Sequence, residues 1–360
     1  MADHYENFLT AAANANLVEI SERFHFQIQT IEGPTLLLRH VRTHGAATNH
    51  GELSDAFYAL MLSYPPGEFS SVAPLAECGR PPETPTLHWH LSNRACINHH
   101  RNSKVIYLRL ESASLLRALS RQAIAVSQLA DLQGVAAPAS LVQLLESLGP
   151  QLSDADHQQH RPITEAFLNR LSQELRYLLG PPKASDTNAA AHVSKALEWM
   201  MSQWSNPISL QDLANELALT PRTVQSCFRS QLALSPMRWL KLARLSQLRQ
   251  LLWDPALAHQ PLQQLFGRCG LSDTGLNRQS YREIYGVSPR EQRRQADMLL
   301  REQKTGDQES VHRQFDSLDS AIQYLEDIRQ MQAHREDHSL VAITITRPTQ
   351  TDLVAPADAR

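Results

Sequence analysis

Between Pro207 and Arg294 the chain states one short design twice, and this repeat limits its possible folds more than any other feature. Leu213-x5-Leu219-Thr220 returns 52 residues later as Leu265-x5-Leu271-Ser272, and each half closes on Ser-Pro, at Ser235-Pro236 and Ser288-Pro289. Each half predicts helix, tight turn, helix. In the first, Ser209 is an N-cap, and Asp212 completes a short capping box. Leu210, Leu213, Ala214 and Leu217 share one helical face. Ala218-Leu219 turns the chain. Thr220 caps the next helix, and Pro221 takes its first position, where a missing N–H costs nothing. Val224, Cys227, Phe228 and Leu232 form the buried stripe. Arg222, Thr223, Gln225, Ser226 and Arg229 are left outside. That face is polar and basic, and Arg and Gln are the residues that pair with guanine and adenine edges in a major groove.

The second half follows the same plan. Leu262, Leu265, Phe266 and Cys269 make an inner face, Gly270 allows the turn, and Ser272 is expected to cap the next helix. Leu276, Tyr281, Ile284 and Tyr285 are expected to pack inward, with Thr274, Arg278, Gln279 and Arg282 outside. Met237 to Trp253 reads as the helix joining the two units. At 17 residues it spans about 25 Å, which suits two recognition helices set roughly one DNA turn, about 34 Å, apart.

Charge is distributed accordingly. The whole chain carries a net −3, yet residues 191–296 hold 13 Lys/Arg against 7 Asp/Glu, and the remainder 21 against 30. A basic module in an acidic chain is the electrostatic footprint of a DNA-binding protein.

These residues resemble the C-terminal DNA-binding domain of the AraC/XylS family of bacterial transcription regulators. The resemblance covers roughly residues 190–296 and rests on the Ala214 helix, Leu219-Thr220-Pro221, Phe228, Ser235-Pro236, Arg244-Leu245, Gly270-Leu271-Ser272, Tyr281 and Gly286-Val287-Ser288-Pro289. It implies base contacts from Arg222, Gln225 and Ser226 in the first motif (209–231). In the second (262–285) it implies them from Thr274, Arg278 and Gln279, with Gly275 among the matching positions. Thr220, Arg229, Lys241 and Arg282 are the expected phosphate contacts. Two departures stand out: Asn277 replaces a usual Phe, and Phe266 a usually small residue. A buried Asn277 would need a hydrogen-bond partner, since an orphaned amide costs about 1–3 kcal/mol.

The rest of the chain predicts an α+β multidomain protein. Residues 1–24 show a loose helical stripe of Phe8, Leu9, Ala12, Leu17 and Ile20. From 24 to 110 short alternating runs such as AFYALMLSY and KVIYLRLE, broken by Gly33-Pro34 and Tyr64-Pro65-Pro66-Gly67, predict a β-sandwich or barrel. The resemblance implies a cupin-like sensor there, making 1–110 a β-rich regulatory domain. Residues 111–180 return to leucine-spaced helices, which the resemblance casts as a dimerising hairpin. Gly180-Pro181-Pro182 opens a linker over 181–190, and the DNA-binding domain follows at 191–296. Residues 305–360 read as a further strand–helix–strand appendage.

The β-rich part is dense in histidine: His25, His40, His44, His50, His88, His90, His99 and His100. His88 and His90 flank Trp89 and so share a strand face. Such a pair could hold a metal, which makes a metal-dependent enzyme or metal sensor the alternative function. The other reading is polar residues on a wet face or lining a polar pocket. No carboxylate–histidine motif supports catalysis, so no cofactor or metal is assigned. An adaptor that has lost DNA binding is a third possibility, motivated by Asn277 and the extra tail. The four cysteines are scattered, which fits a reducing cytoplasm. No apolar run is long enough to span a membrane, and the acidic N-terminus does not look like a secretory signal. The expected partners are double-stranded DNA, a second copy of the chain, RNA polymerase and an effector of unknown chemistry.

Overall fold

The computed structural model describes residues 15–20, 25–70, 83–92, 94–155, 157–182 and 184–294 of the 360. The expected appendage at 305–360 lies outside them. Among the described residues, ten strands form two antiparallel sheets. A four-stranded sheet runs β1 (Ala15–Ile20), β4 (Ala46–Glu52), β8 (Ala95–Arg101), β6 (Glu68–Ser70). A six-stranded sheet runs β10 (Val135–Ala136), β7 (Thr86–His90), β5 (Phe57–Tyr64), β9 (Lys104–Glu111), β3 (Leu36–His44), β2 (His25–Glu32).

β5 explains why the sheets stack. Seven of its eight residues, FYALMLSY, are buried, so both of its faces are covered. Leu60 and Leu62 join the main apolar core, while Met61 packs with Phe69 of β6 and Val105 between the sheets. The helix expected over 1–24 is corrected where the chain is described. Ala15–Ile20 is a strand, paired from Ala15 opposite Gly51 to Ile20 opposite Ala47. Leu17 and Ile20 fit a helical spacing, but pairing with β4 satisfies the backbone instead, and a register break between Leu17 and Glu19 resets the alternation.

β9 runs straight into α1 (Ser112–Arg121), whose Leu115, Leu116 and Leu119 are buried. At Ala123 the backbone turns left-handed (φ 51), so the expected continuation is a separate 3-10 turn, Val126–Leu132. The hairpin α2 (Ala139–Asp154) and α3 (His157–Leu179) follows. Gly180, at φ +70, ends it. The expected linker is largely helix, because α4 (Ala184–Ser202) begins within it. Val193, Leu197 and Met200 of α4 are buried, as their spacing predicts.

Two apolar clusters divide the C-terminal half. One runs without a break from Leu38 and Leu108 of the sheet through Leu115 and Leu197 to Leu213, Phe228 and Trp239. The other holds Leu245, Leu248, Leu252, Leu265, Phe266, Cys269 and Tyr281. Both are fed by α7 (Pro236–Trp253). Its first half belongs to one helix-turn-helix unit and its second half to the other. Among the described residues no helix is long and apolar enough to cross a membrane.

Candidate nucleic-acid interface

The first motif is built as its residues require. α5 (Leu210–Leu217) starts at Ser209, whose N–H donates to the Asp212 carboxylate at 2.8 Å while the Asp212 N–H donates to Ser209 Oγ at 3.2 Å. These bonds hold the Asp212 carboxyl below its ordinary range, the Ser209 hydroxyl being the larger cause. Ala218 closes the helix in the left-handed region (φ 54). Thr220 Oγ1 then accepts from the Thr223 N–H at 3.1 Å and opens α6 (Pro221–Leu232). Val224, Phe228 and Leu232 are buried. Arg222, Gln225, Ser226 and Arg229 are exposed, as is the cap Thr220. The first recognition helix therefore presents the expected face outward.

The second motif, α8 (Leu262–Arg268) and α9 (Gly275–Tyr285), departs from expectation at its turn. Ser272 is not the cap. Thr274 is, accepting from the Asn277 N–H at 3.3 Å. Ser272 instead offers its carbonyl to Asn277 Nδ2 at 2.8 Å, which supplies the partner that amide needed. Leu276 does not pack inward; it is 69% exposed. Tyr281 is fully buried, and Ile284 and Tyr285 are half-buried. For Leu276 the cause is one inserted residue, while the cap itself moves two places, to Thr274, 54 residues after Thr220. Leu213 and Leu265 lie 52 apart, but Phe228 and Tyr281, like the two Ser-Pro pairs, lie 53 apart. The offset is legible in the sequence, and it rotates every position between turn and helix.

Two of the remaining outer residues of α9 are tied to near neighbours. Arg278 forks onto Asp273 at 2.6 and 2.8 Å, an ion pair that raises the guanidinium pKa and lowers the carboxyl. Gln279 donates to Glu283 at 2.8 Å. Arg282 is exposed. Lys241 is half-buried and donates to Ser280 Oγ at 2.8 Å, bracing α7 against α9.

The two units are clamped by a second interaction. Gly270 sits at φ +65, and a Cβ there would lie 2.5 Å from the Trp204 carbonyl oxygen. That carbonyl also accepts from Arg244 Nε at 2.8 Å, while Arg244 Nη2 donates to the Asn206 carbonyl at 2.6 Å. Gly270→Ala should lower unfolding stability by about 2–3 kcal/mol, from left-handed strain plus displacement of this clamp. A urea titration checks this, and an unchanged midpoint would show that the turn tolerates a side chain.

Sequence reasoning missed the seam between the β sheets and this domain. Glu111, at the end of β9, is buried and accepts from Ser246 Oγ of α7 and from Tyr285 Oη of α9, the latter at 2.9 Å. Burial raises its pKa, opposed by nearby Arg249 and these hydrogen bonds. Arg249 lies 4.7 Å from the Tyr285 ring centroid, and Phe57 of β5 meets the same ring edge-on at 6.0 Å. Arg238 forks onto Asp55. No local pattern announces contacts between residues more than 130 positions apart.

The histidines resolve differently. His88 and His90 do share a face, opposite Met61 and Ala59 of β5, and both are buried between the sheets. His90 Nε2 lies 2.7 Å from Asn98 Oδ1, His88 Nε2 3.1 Å from Thr86 Oγ1, and His100 Nδ1 2.9 Å from Ser103 Oγ. Phe69 wedges between the His88 and His100 rings at 5.1 and 4.9 Å. Among the described residues no three His, Cys, Asp or Glu side chains are placed to share a metal ion. The arrangement is that of hydrogen-bonded polar groups filling a core.

A family profile described as a helix-turn-helix domain matches residues 213–295. The chain is 25% identical over 163 residues to the HTH-type transcriptional activator RhaS of Escherichia coli strain SMS-3-5, covering 45% of this chain and 57% of that one. The K12/DH10B protein of the same name matches over the same span, so the chain spans a little over half the length of these relatives. Among solved structures, a Chromobacterium violaceum transcriptional regulator with an AraC-type DNA-binding domain is 25% identical, covering 30% of this chain and 95% of that one, with a TM-score of 0.28. A probable AraC family regulator from Rhodopseudomonas palustris is 26% identical, covering 29% and 97%, with a TM-score of 0.27. The profile match over residues 213–295 and the RhaS likeness make the paired-motif part of this chain similar to the AraC/XylS-family regulators.

Proposed function

We propose that the chain is a sequence-specific DNA-binding transcription regulator that reads two adjacent major-groove segments. The observation that carries this reading is the pair of capped recognition helices, α6 and α9, held on one 18-residue helix, α7. α7 is about 27 Å long, which leaves the two recognition helices, carried outside its ends, to span one DNA turn of about 34 Å. Arg222, Gln225 and Ser226 serve one segment, and Thr274, Arg278 and Gln279 the other. For Arg278 and Gln279 this means exchanging Asp273 and Glu283 for base edges. Thr220, Arg229 and Arg282 fix register on the phosphates, and Lys241 does so by releasing Ser280. Activation is the sense of regulation in the name of the RhaS relatives, and it is the sense proposed here.

The N-terminal half, residues 1–110 with the hairpin of 111–180, acts as the controlling and dimerising part. The seam through Glu111 and Asp55 supports control, because it touches both helix-turn-helix units. An exposed Tyr177 on α3 (80%) supports a dimer surface on the hairpin.

Arg222→Ala should weaken binding to a selected duplex by about 1–3 kcal/mol and relax the preference at one base position. Binding measured across single-base variants of the duplex tests this. Equal affinity and an unchanged preference would remove α6 from base recognition. Binding should also fall steeply with salt, since several basic residues displace counterions.

A further inference from the structure

We propose that the second recognition helix reads its DNA segment through thymine methyl groups, with Leu276 as the specificity-determining side chain. This rests on the regulator reading above and adds how the weaker-looking motif discriminates sequence.

Leu276 is one of four large hydrophobic residues exposed among those described, and it stands two positions after the cap of a recognition helix. A solvent-facing leucine there has no role in the fold, because the buried side of α9 is made by Ser280 and Tyr281. Its neighbour is equally unexplained from within. Gly275 has an ordinary φ, and a Cβ at that position would meet nothing within 4 Å. The offset of 53 sets Gly275 where the first helix carries Arg222, and Leu276 where it carries Thr223. The head of α6 is thus hydrogen-bonding and charged, and the head of α9 has a bare backbone followed by an apolar side chain.

The polar groups behind that head are engaged already: Arg278 with Asp273, Gln279 with Glu283, and Thr274 with its own helix. What α9 presents first to a groove is therefore Gly275-Leu276. In a major groove the apolar feature that differs between base pairs is the C5-methyl of thymine. Gly275 lets the helix end approach closely, and Leu276 covers the methyl. Duplex DNA is the occupant this face fits, because the apolar spot lies within a domain of 13 Lys/Arg against 7 Asp/Glu. An apolar protein partner would have to tolerate that field.

The test uses the full chain and a duplex selected from a random pool. Each thymine in the segment about ten base pairs from the one perturbed by Arg222→Ala is replaced in turn by uracil, which lacks only the methyl. Wild-type binding should weaken about three- to fivefold at one or two of these positions, the worth of one buried methyl. Leu276→Ala should bind the thymine and uracil duplexes alike, with an unchanged thermal midpoint because the side chain is exposed. Equal methyl effects in wild type and Leu276→Ala would overturn the proposal, as would none anywhere in that segment. A pool that yields no preferred sequence would overturn the regulator reading itself.

Discussion

Taking the protein from pH 7.5 to pH 5 should strip about 6 kcal/mol from the stability of its β-rich half. The source is three histidines between the sheets. Burial holds His88, His90 and His100 down at about 4 each, with His90 reinforcing the effect on the other two. In the unfolded chain they titrate near 6.5. Their partners in the fold, Thr86, Asn98 and Ser103, are neutral and cannot compensate an imidazolium. A depressed folded pKa means that the unfolded state binds more protons between about 4 and 6.5. Stability is then complete above pH 6.5 and is lost as pH falls through that window. At pH 5 each site costs about 2 kcal/mol, and the three together about 6 kcal/mol, since repulsion among the charges only deepens the loss. Urea unfolding of the full chain at pH 7.5, 6 and 5 measures the slope, and His90→Gln should reduce it by about a third. A flat profile over this range would mean that the three rings are hydrated in solution.

Glu111→Ala should be the most damaging single change at the seam, costing about 3 kcal/mol. Glu111 is 3% exposed and serves Ser246 and Tyr285 at once, while offsetting the charge of Arg249, itself 4% exposed. Removing one member of a buried charged set leaves the others without compensation, which typically costs 3–5 kcal/mol. The raised pKa of Glu111 argues for the lower end, because the carboxylate is already burdened by desolvation. Glu111→Gln keeps the shape and one acceptor, so its loss should be about half. Denaturation read by tryptophan fluorescence gives the number, and limited proteolysis shows whether the C-terminal domain comes loose first. A Glu111→Ala protein within 1 kcal/mol of wild type would show that the apolar contacts alone dock the domain. Partial unfolding with loss of regulation but retained DNA affinity is the pattern expected of a controlling seam.

Much of the candidate interface was legible because its signals are local. A cap, a first-turn proline and a stripe at 3.6-residue spacing act within a dozen residues. Ser209, Thr220, Val224 and Phe228 therefore sit where their order requires. Counted from the turn, at an offset of 52, Leu276 matches the buried Val224; counted from the buried aromatic, at 53, it matches the exposed Thr223. The side chain that must be buried sets the helix phase, and Tyr281 is that side chain.

The amino-acid order alone determined the strands described within 25–70 and 83–111, the helices of 139–179, the doubled motif and its outward Arg222 face, since each follows from short-range periodicity and capping. Tertiary structure alone decided that Ala15–Ile20 is a strand, because β4 offers it a hydrogen-bonding edge. It also decided that His88, His90 and His100 are core residues and that Glu111 joins the two halves. Those outcomes depend on which distant atoms remove water from a polar group, and spacing along the chain carries no record of that.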